Sequence, residues 1–176
     1  MRKILFISMM MAGCFISRAQ LADSIKAQFI GDWERAKAYT KEYLDAVPKD
    51  KYSFKAQDSV RNFAQQMLHL AQANISLSSN GVGKPPIWQG ASLENSKTAQ
   101  SADSVMYYVM TSYDYVIDGV KNIDQAKLLE VTGRGRFKVT RYGWLTKAFE
   151  HQTHHRGQST IYIRLMGIKP PNERLF

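Results

Sequence analysis

The stretch from Thr140 to Met166, TRYGWLTKAFEHQTHHRGQSTIYIRLM, decides the fold, because its pattern is that of an amphipathic helix. Thr140 is a suitable N-cap residue, and Gly167 followed by Pro170-Pro171 ends the helix. The large side chains recur at steps of three and four residues and are expected to face the interior of a bundle: Trp144, Ala148, His151, His155, Gln158, Tyr162 and Leu165. Such a helix needs partner helices to cover this stripe.

Three segments upstream repeat the same spacing. The first carries apolar residues from Ile25 to Val47 and stops at Pro48, the second is opened by Asp58 or Ser59, and valines stripe the third from residue 105 to residue 120. No sustained alternation with a period of two residues, the pattern of a strand, occurs. The sequence therefore predicts an all-α protein, an antiparallel four-helix bundle with mostly polar connections.

Two connections carry further signals. The segment from about residue 80 to residue 98 is expected to be a loop that caps one end of the bundle. The connection before the last helix contains Gly133-Arg134-Gly135-Arg136, which predicts a turn rather than a phosphate-binding loop because it follows a helix. Its basic residues are expected to be solvated, since no platform of aromatic side chains accompanies them.

Residues 1–19, MRKILFISMMMAGCFISRA, have the order of a secretory signal peptide: two basic residues, an apolar core and a small-residue exit. We expect cleavage before Gln20, export to the periplasm or the medium, and a mature domain over residues 20–176. One alternative is an N-terminal anchor or a buried helix. Another is a lipoprotein anchored to a membrane through Cys14, since Met11-Ala12-Gly13-Cys14 approaches a lipobox. Cleavage before Gln20 leaves no cysteine, and hence no thiol nucleophile, in the mature chain.

Composition excludes several classes of protein. With 44% hydrophobic and 22% charged residues among 176, the chain suits one globular domain, and a single cysteine excludes a disulfide scaffold. The formal net charge of +9 becomes +6 without residues 1–19, which hold three basic residues and no acid. A charge this modest does not indicate a nucleic-acid partner.

The histidines are the candidate metal ligands. His151 and His155 lie four residues apart, so they emerge on one helix face about 6 Å from each other and can share a metal ion. His69, on a polar stripe of the second helix, is placed to meet them across the bundle. Two ligands from one helix and one from another leave coordination positions open, as in a reactive site. His154 lies nearer the outward side, and Gln152 stands where the HExxH motif of zinc proteases has glutamate.

A different interpretation of these histidines stays open on spacing alone. A histidine on a half-polar stripe is often a hydrogen-bonded core or boundary residue that binds no metal, and an HxxxH pair is only moderately specific.

Two segments together resemble the DinB family, also described as DinB/YfiT-like metalloenzymes. They are His69-Leu70-Ala71-Gln72-Ala73-Asn74 and the run HQTHHRGQ at residues 151–158, which continues through Tyr162 to RLMGIKPP at residues 164–171. The resemblance implies an antiparallel four-helix bundle in which His69, His151 and His155 ligate a divalent metal ion, with zinc or nickel usual. It further implies a homodimer and, for some relatives, a low-molecular-weight thiol as cosubstrate.

These expectations lead to two functions. The first is a metal-dependent transferase or hydrolase that acts on a small molecule and can depend on an external thiol. Gln158 and Tyr162 are its candidate catalytic residues, because each could orient water or substrate. Their structural alternatives are a helix-to-helix hydrogen bond for Gln158 and core packing for Tyr162. The second function is a non-catalytic, secreted metal-binding or stress-related bundle protein. A fourth protein ligand would favour the second function, and a cleft at the metal site the first.

Several other side chains are candidates to line such a cleft or to hold an anion. Trp33, Trp88 and Tyr108 are candidate cleft residues, although packing is the simpler expectation for each. Arg156 and Arg164 are candidates to bind an anionic substrate, but solvated ion pairs are the favoured interpretation.

Overall fold

The computed structural model contains four long helices. It describes the backbone of residues 2–176 and the side chains of residues 23–176. The helices are α1 (Arg2–Ala46), α2 (Phe63–Val82), α3 (Ala102–Asn122) and α4 (Arg141–Leu165). α2 packs on α3 and α4, and α1 packs on the same two helices, so the four helices surround one core. The predicted four-helix bundle is confirmed.

The helices run in the order up, down, down, up. Contacts such as Lys37 with Asp114 and Lys121 with Glu34 make α1 and α3 antiparallel. α2 and α4 are also antiparallel, because the start of α2 meets the end of α4 and Gly81 lies against the start of α4. α2 and α3 therefore run in the same direction. Their connection, residues 83–101, has to return along the bundle, and this places it beside α2.

The observed helix boundaries agree with the predicted ones for α1 and α4 but not for α2. α1 ends at Ala46, shortly before Pro48, and Thr140 caps α4 by accepting a hydrogen bond from the Gly143 backbone N–H, as predicted. The predicted start of α2 at Asp58 or Ser59 is wrong. Asn62 is the N-cap residue, and it forms a capping box with Gln65, because the two side chains satisfy each other's backbone N–H groups.

A short β-hairpin precedes α4, where only a turn was expected. β1 (Val131–Arg134) pairs with β2 (Phe137–Thr140) in antiparallel register, and Gly135 takes the positive φ of 58° that the tight turn requires. Each strand has four residues, too few for an alternating pattern to stand out in the sequence. The basic side chains of this hairpin are exposed, with the exception of Arg141 at the start of α4, which is half-buried.

The core is formed by apolar and aromatic residues from all four helices. Its largest fully buried side chains are Trp33, Leu44, Phe63, Met67, Leu68, Leu70, Val105, Val109, Tyr113, Leu145 and Ile163. α2 and α3 approach closely at Gly119, where an added Cβ would lie 2.6 Å from Cγ1 of Val82. The predicted interior stripe of α4 holds for most of its length but not at Gln158 and Leu165, which are exposed.

The predicted signal peptide at residues 1–19 lies outside the side chains that the structure describes, as does the alternative lipidation site at Cys14. Both therefore stay predictions. Within the described part of the chain, no helix has an apolar stretch long enough to cross a membrane.

Candidate metal centre

Three histidine side chains meet where α2 packs against α4. His69 comes from α2, and His151 and His155 come from successive turns of α4. One ring nitrogen from each lies within 4.8 Å of the others, and the Nε2 atoms of His151 and His155 are 3.1 Å apart. The cluster forms here because the antiparallel pairing brings the first half of α2 beside the middle of α4. Among the described side chains, no fourth histidine, cysteine or carboxylate joins this group.

Glu94 orients the ring of His69. Its Oε2 lies 3.4 Å from Nδ1 of His69 and accepts a hydrogen bond from Nε of Arg61 at 2.6 Å. A carboxylate at Nδ1 fixes the proton on that nitrogen and leaves Nε2 with a lone pair for a metal ion. The returning α2–α3 connection brings Glu94 to this position, and Gln72 fixes the connection by accepting from the Leu93 backbone N–H at 2.8 Å.

Gln66 has the corresponding place beside His155. Its Nε2 lies 2.8 Å from Nδ1 of His155 and also donates to Oε1 of Gln158. A neutral His155 that accepts at Nδ1 carries its proton on Nε2, which matches the short contact from Nε2 to His151. Metal binding through Nε2 instead needs the proton on Nδ1, and a half-turn of the Gln66 amide would present its oxygen as the acceptor.

The donor set fits a divalent ion. Nδ1 of His151 is buried and has no hydrogen-bond partner among the described residues, so the ring's only engaged nitrogen is the Nε2 that faces His155. Two imidazole Nε2 atoms at 3.1 Å can share at most one proton between them, whereas a cation can accept a lone pair from each. Imidazole nitrogens are ligands that zinc, nickel and related ions accept.

Electrostatics hold the three rings in the neutral form that metal binding requires. Burial, followed by the nearby rings of His151 and His69, lowers the pKa of His155 from 6.5 to about 3. Burial, followed by the nearby ring of His69, lowers the pKa of His151 to about 4. Burial and Arg61 also lower the pKa of His69, against the opposing charge of Glu94. At neutral pH no proton has to be displaced from a charged imidazole.

A cavity of about 800 Å³ opens beside the cluster. Of the three clustered histidines, His155 lies on its wall, so a ligand in the cavity reaches the imidazole of His155 directly. The other lining residues come from α4, from the start of α2 and from the two connections around it: Ala56, Ser59, Val60, Arg61, Gln65, Gln66, Glu94, Asn95, His154, Gln158, Ile161 and Tyr162. The volume lies in the range of small-molecule sites.

The structure places both candidate catalytic residues on this wall. Tyr162 is buried, and its hydroxyl donates to the backbone carbonyl of Arg61 at 2.8 Å. Gln158 is exposed, and its amide oxygen accepts from Gln66. Each side chain thus makes the structural contact expected of it and also faces the cavity. His154 is exposed, with its ring centroid 4.9 Å from that of His155.

Arg156 is not the solvated residue that the sequence predicts. It is 6% exposed, and its Nη1 donates to Oε1 of Gln152 at 2.8 Å and lies 3.3 Å from Oγ1 of Thr40. Its guanidinium group also lies 4.7 Å from the ring centre of Tyr39. Tyr113 donates to the same Gln152 oxygen at 2.8 Å. This buried network joins α1, α3 and α4 directly behind the histidine pair. It thereby fixes the rotation of α4 about its own axis. Arg164, the other candidate for an anionic substrate, is exposed and absent from the cavity wall.

The three aromatic candidates do not line this cavity. Trp33 is fully buried in the core, and the rings of Trp88 and Tyr108 pack edge to face with centroids 5.0 Å apart. Trp88 borders a separate cavity of about 440 Å³, which is lined by α2, by residues 86–91 of the α2–α3 connection and by Arg134.

Sequence reasoning missed three residues that organise the centre: Glu94, Arg61 and Gln66. Glu94 lies in a loop and belongs to no motif, so only the path of the connection reveals its role. Gln66 carried a usable signal, because it shares a stripe of α2 with His69 at a spacing of three residues.

Known proteins similar to this chain share its fold. The sequence model of the DinB family matches residues 20–174. A DinB-like protein from Bacillus cereus ATCC 10987 superposes with a TM-score of 0.70 at 18% identity, over 83% of this chain and 95% of that chain. A DinB-like protein from Bacillus subtilis gives 0.65 at 20% identity, over 85% and 96%. A conserved protein from Enterococcus faecalis gives 0.65 at 17% identity, over 81% and 98%. No curated protein sequence matches the chain.

Proposed function

This chain belongs to the DinB family, and from that premise we propose that it is a metal-dependent enzyme acting on a small molecule. His69, His151 and His155 hold one divalent ion, zinc or nickel. The reaction is a group transfer or a hydrolysis in which the nucleophile, water or a low-molecular-weight thiol, comes from outside the protein.

The observation that carries this proposal is the cavity of about 800 Å³ at a three-histidine cluster. A structural metal site is closed by four protein ligands, whereas a catalytic site combines three with a position for water or substrate. The cluster supplies three, and His155 lies on the cavity wall. This combination favours catalysis over the alternative of a non-catalytic metal-binding protein.

The chain's own residues have defined tasks in this proposal. A divalent ion in the site would supply Lewis acidity and would lower the pKa of a bound water or thiol. Glu94 and Gln66 hold the His69 and His155 rings in position before metal arrives, and a half-turn of the Gln66 amide would free Nε2 of His155 for the ion. Gln158 offers its amide at the cavity wall for a hydrogen bond to substrate or water, and Tyr162 shapes the wall.

An external nucleophile agrees with the residues of the cavity. Its lining contains no cysteine, and the single cysteine of the sequence, Cys14, lies in the predicted signal peptide. The Ser59 hydroxyl at the wall donates to Oε1 of Gln57, and no histidine partners it among the described residues. A serine without a base beside it is a weak nucleophile.

Metal content tests this proposal. Purified protein should take up about one zinc or nickel ion per chain, and His151→Ala should abolish the uptake. His154→Ala is the matched control, because it removes an exposed imidazole from the same helix turn and should leave uptake nearly intact. Unchanged stoichiometry in the His151 variant would refute the ligand assignment, and an equal loss in the control would show that the wrong histidines were chosen.

We also propose that the chain is exported after cleavage before Gln20 and that it forms a homodimer. Intact-mass analysis of protein recovered from outside the cytoplasm should give a chain that begins at Gln20. A mass that includes an acylated Cys14 would instead indicate a membrane-anchored lipoprotein. Size-exclusion chromatography with light scattering measures the oligomeric state, and a monomer mass would overturn the dimer.

A further inference from the structure

The charges on the cavity wall are few and nearly balanced. Arg61 is the only lysine or arginine among the lining residues of the described chain, and Glu94 is the only carboxylate. The two form an ion pair, so the protein contributes little net charge around the cavity. Because Glu94 is already paired with Arg61, a divalent ion on three neutral imidazoles would bring a positive charge that the described wall does not neutralise. The loaded cavity then favours an anionic ligand.

Arg61 has donors left for such a ligand. Its Nε donates to Glu94, and neither Nη atom has a hydrogen-bond partner among the described residues. A guanidinium group has five N–H donors in a planar fork, and its Nη1–Nη2 edge matches the two oxygens of a carboxylate. Glu94 also fixes the orientation of the group, which reduces the entropy that a ligand loses on binding there.

The rest of the wall suits an apolar group. Val60 and Ile161 lie on it with 39% and 56% of their surfaces exposed, and Ala56 adds a methyl group. Exposed aliphatic side chains beside a charged group form a surface for an amphiphilic ligand, since the apolar part of the ligand covers them.

We propose that this cavity binds a small amphiphilic carboxylate, with its carboxylate on the Nη1–Nη2 edge of Arg61 and its apolar part against Val60 and Ile161. The inference rests on the proposed function, because the metal ion supplies the uncompensated positive charge. Arg61 is then a specificity-determining residue of the substrate site. A single planar fork favours a carboxylate over a phosphate group, which binds best where several donors surround it.

Isothermal titration calorimetry of zinc-loaded protein tests the inference with hexanoate, acetate, hexan-1-ol and inorganic phosphate as probes. Hexanoate should bind more tightly than each of the other three. Arg61→Gln should weaken hexanoate binding about 10–100-fold, the range expected for hydrogen bonds to a charged group, and should leave hexan-1-ol unaffected. Arg61→Lys keeps the charge but lacks the planar fork of donors. Its affinity for hexanoate should therefore lie between that of the unaltered protein and that of Arg61→Gln.

The control variant is Arg136→Gln, which makes the same change of charge on the exposed turn of the hairpin, away from the cavity wall. It should bind hexanoate as the unaltered protein does. Zinc content is measured first in every variant, and circular dichroism confirms that each is folded.

The outcomes separate this inference from the proposed function. A protein that takes up neither zinc nor nickel refutes both the metal centre and the carboxylate site that depends on it. A protein that takes up zinc but binds hexanoate no better than hexan-1-ol, or binds phosphate more tightly, overturns the carboxylate site alone. An equal loss of hexanoate binding in the Arg61 and Arg136 variants would show that overall charge, not this cavity, attracts the anion.

Discussion

Replacing Glu94 by glutamine tests whether the α2–α3 connection prepares the metal centre. The substitution keeps the size of the side chain and removes the negative charge that faces Nδ1 of His69 at 3.4 Å and Nε of Arg61 at 2.6 Å. The glutamine amide oxygen still accepts from Nδ1, but the imidazole loses the carboxylate charge that fixes its proton on Nδ1 and raises the basicity of its other nitrogen. We expect Glu94→Gln to bind zinc more weakly while all three ligands remain.

The size of the effect follows from the role of the residue that is changed. Mutation of the residue that orients a metal-bound histidine lowers metal affinity about 10–100-fold, which corresponds to about 1.4–2.7 kcal/mol. At saturating zinc the same amount is lost from the metal's contribution to folding stability. For a chain of this size, about 2–4 °C of melting temperature corresponds to each kcal/mol. The zinc-induced rise in melting temperature should therefore shrink by about 3–11 °C.

A competition titration against a chromophoric chelator measures the affinity, and thermal unfolding with and without zinc measures the shift. Glu150→Gln is the matched control, because Glu150 is an exposed carboxylate on α4. Cobalt substitution distinguishes two roles of Glu94: loss of a direct ligand would change the visible spectrum strongly, whereas loss of an orienting partner would change it little. An unchanged zinc affinity in Glu94→Gln would refute the orienting role.

Three further outcomes concern stability. The pKa values of His151 and His155 lie below 6.5 in the folded chain, so the unfolded chain binds more protons below that pH. The urea midpoint of the metal-free protein should therefore be highest above pH 6.5 and should fall as the pH drops towards 4. Asn62→Ala removes the cap of α2 and should lower the free energy of unfolding by about 1 kcal/mol in urea titrations, and no change would exclude the capping box as a source of stability. Gly119→Ala should lower the free energy of unfolding by about 1–3 kcal/mol, because the added Cβ meets a valine of α2. Gly31→Ala, which has open space at its Cβ, should not lower it, and equal effects would contradict the close approach of α2 and α3.

The sequence predicted those parts of the molecule that depend on periodic patterns. Long helices with one apolar face leave a strong signal, and the spacing of His151 and His155 fixes their common side on any helix. The burial of Arg156 left no such signal, because its partners come from α1 and from its own helix. The position of Glu94 was equally hidden, since it depends on the direction in which the connection returns along the bundle. The start of α2 was misplaced because Asp58, Ser59 and Asn62 are all acceptable caps, and tertiary contacts select among them.

The buried arginine network behind the histidine pair fixes the position of α4 with residues other than the histidines that α4 presents to the cluster. Arg156 and Tyr113 each donate to the amide oxygen of Gln152, in a layer that contributes none of the three clustered histidines. We therefore expect α4 to keep its position when His151 or His155 is replaced by cysteine or aspartate. The bundle is therefore a suitable scaffold for redesign of the metal specificity, since cysteine would favour a softer metal ion and aspartate a harder one.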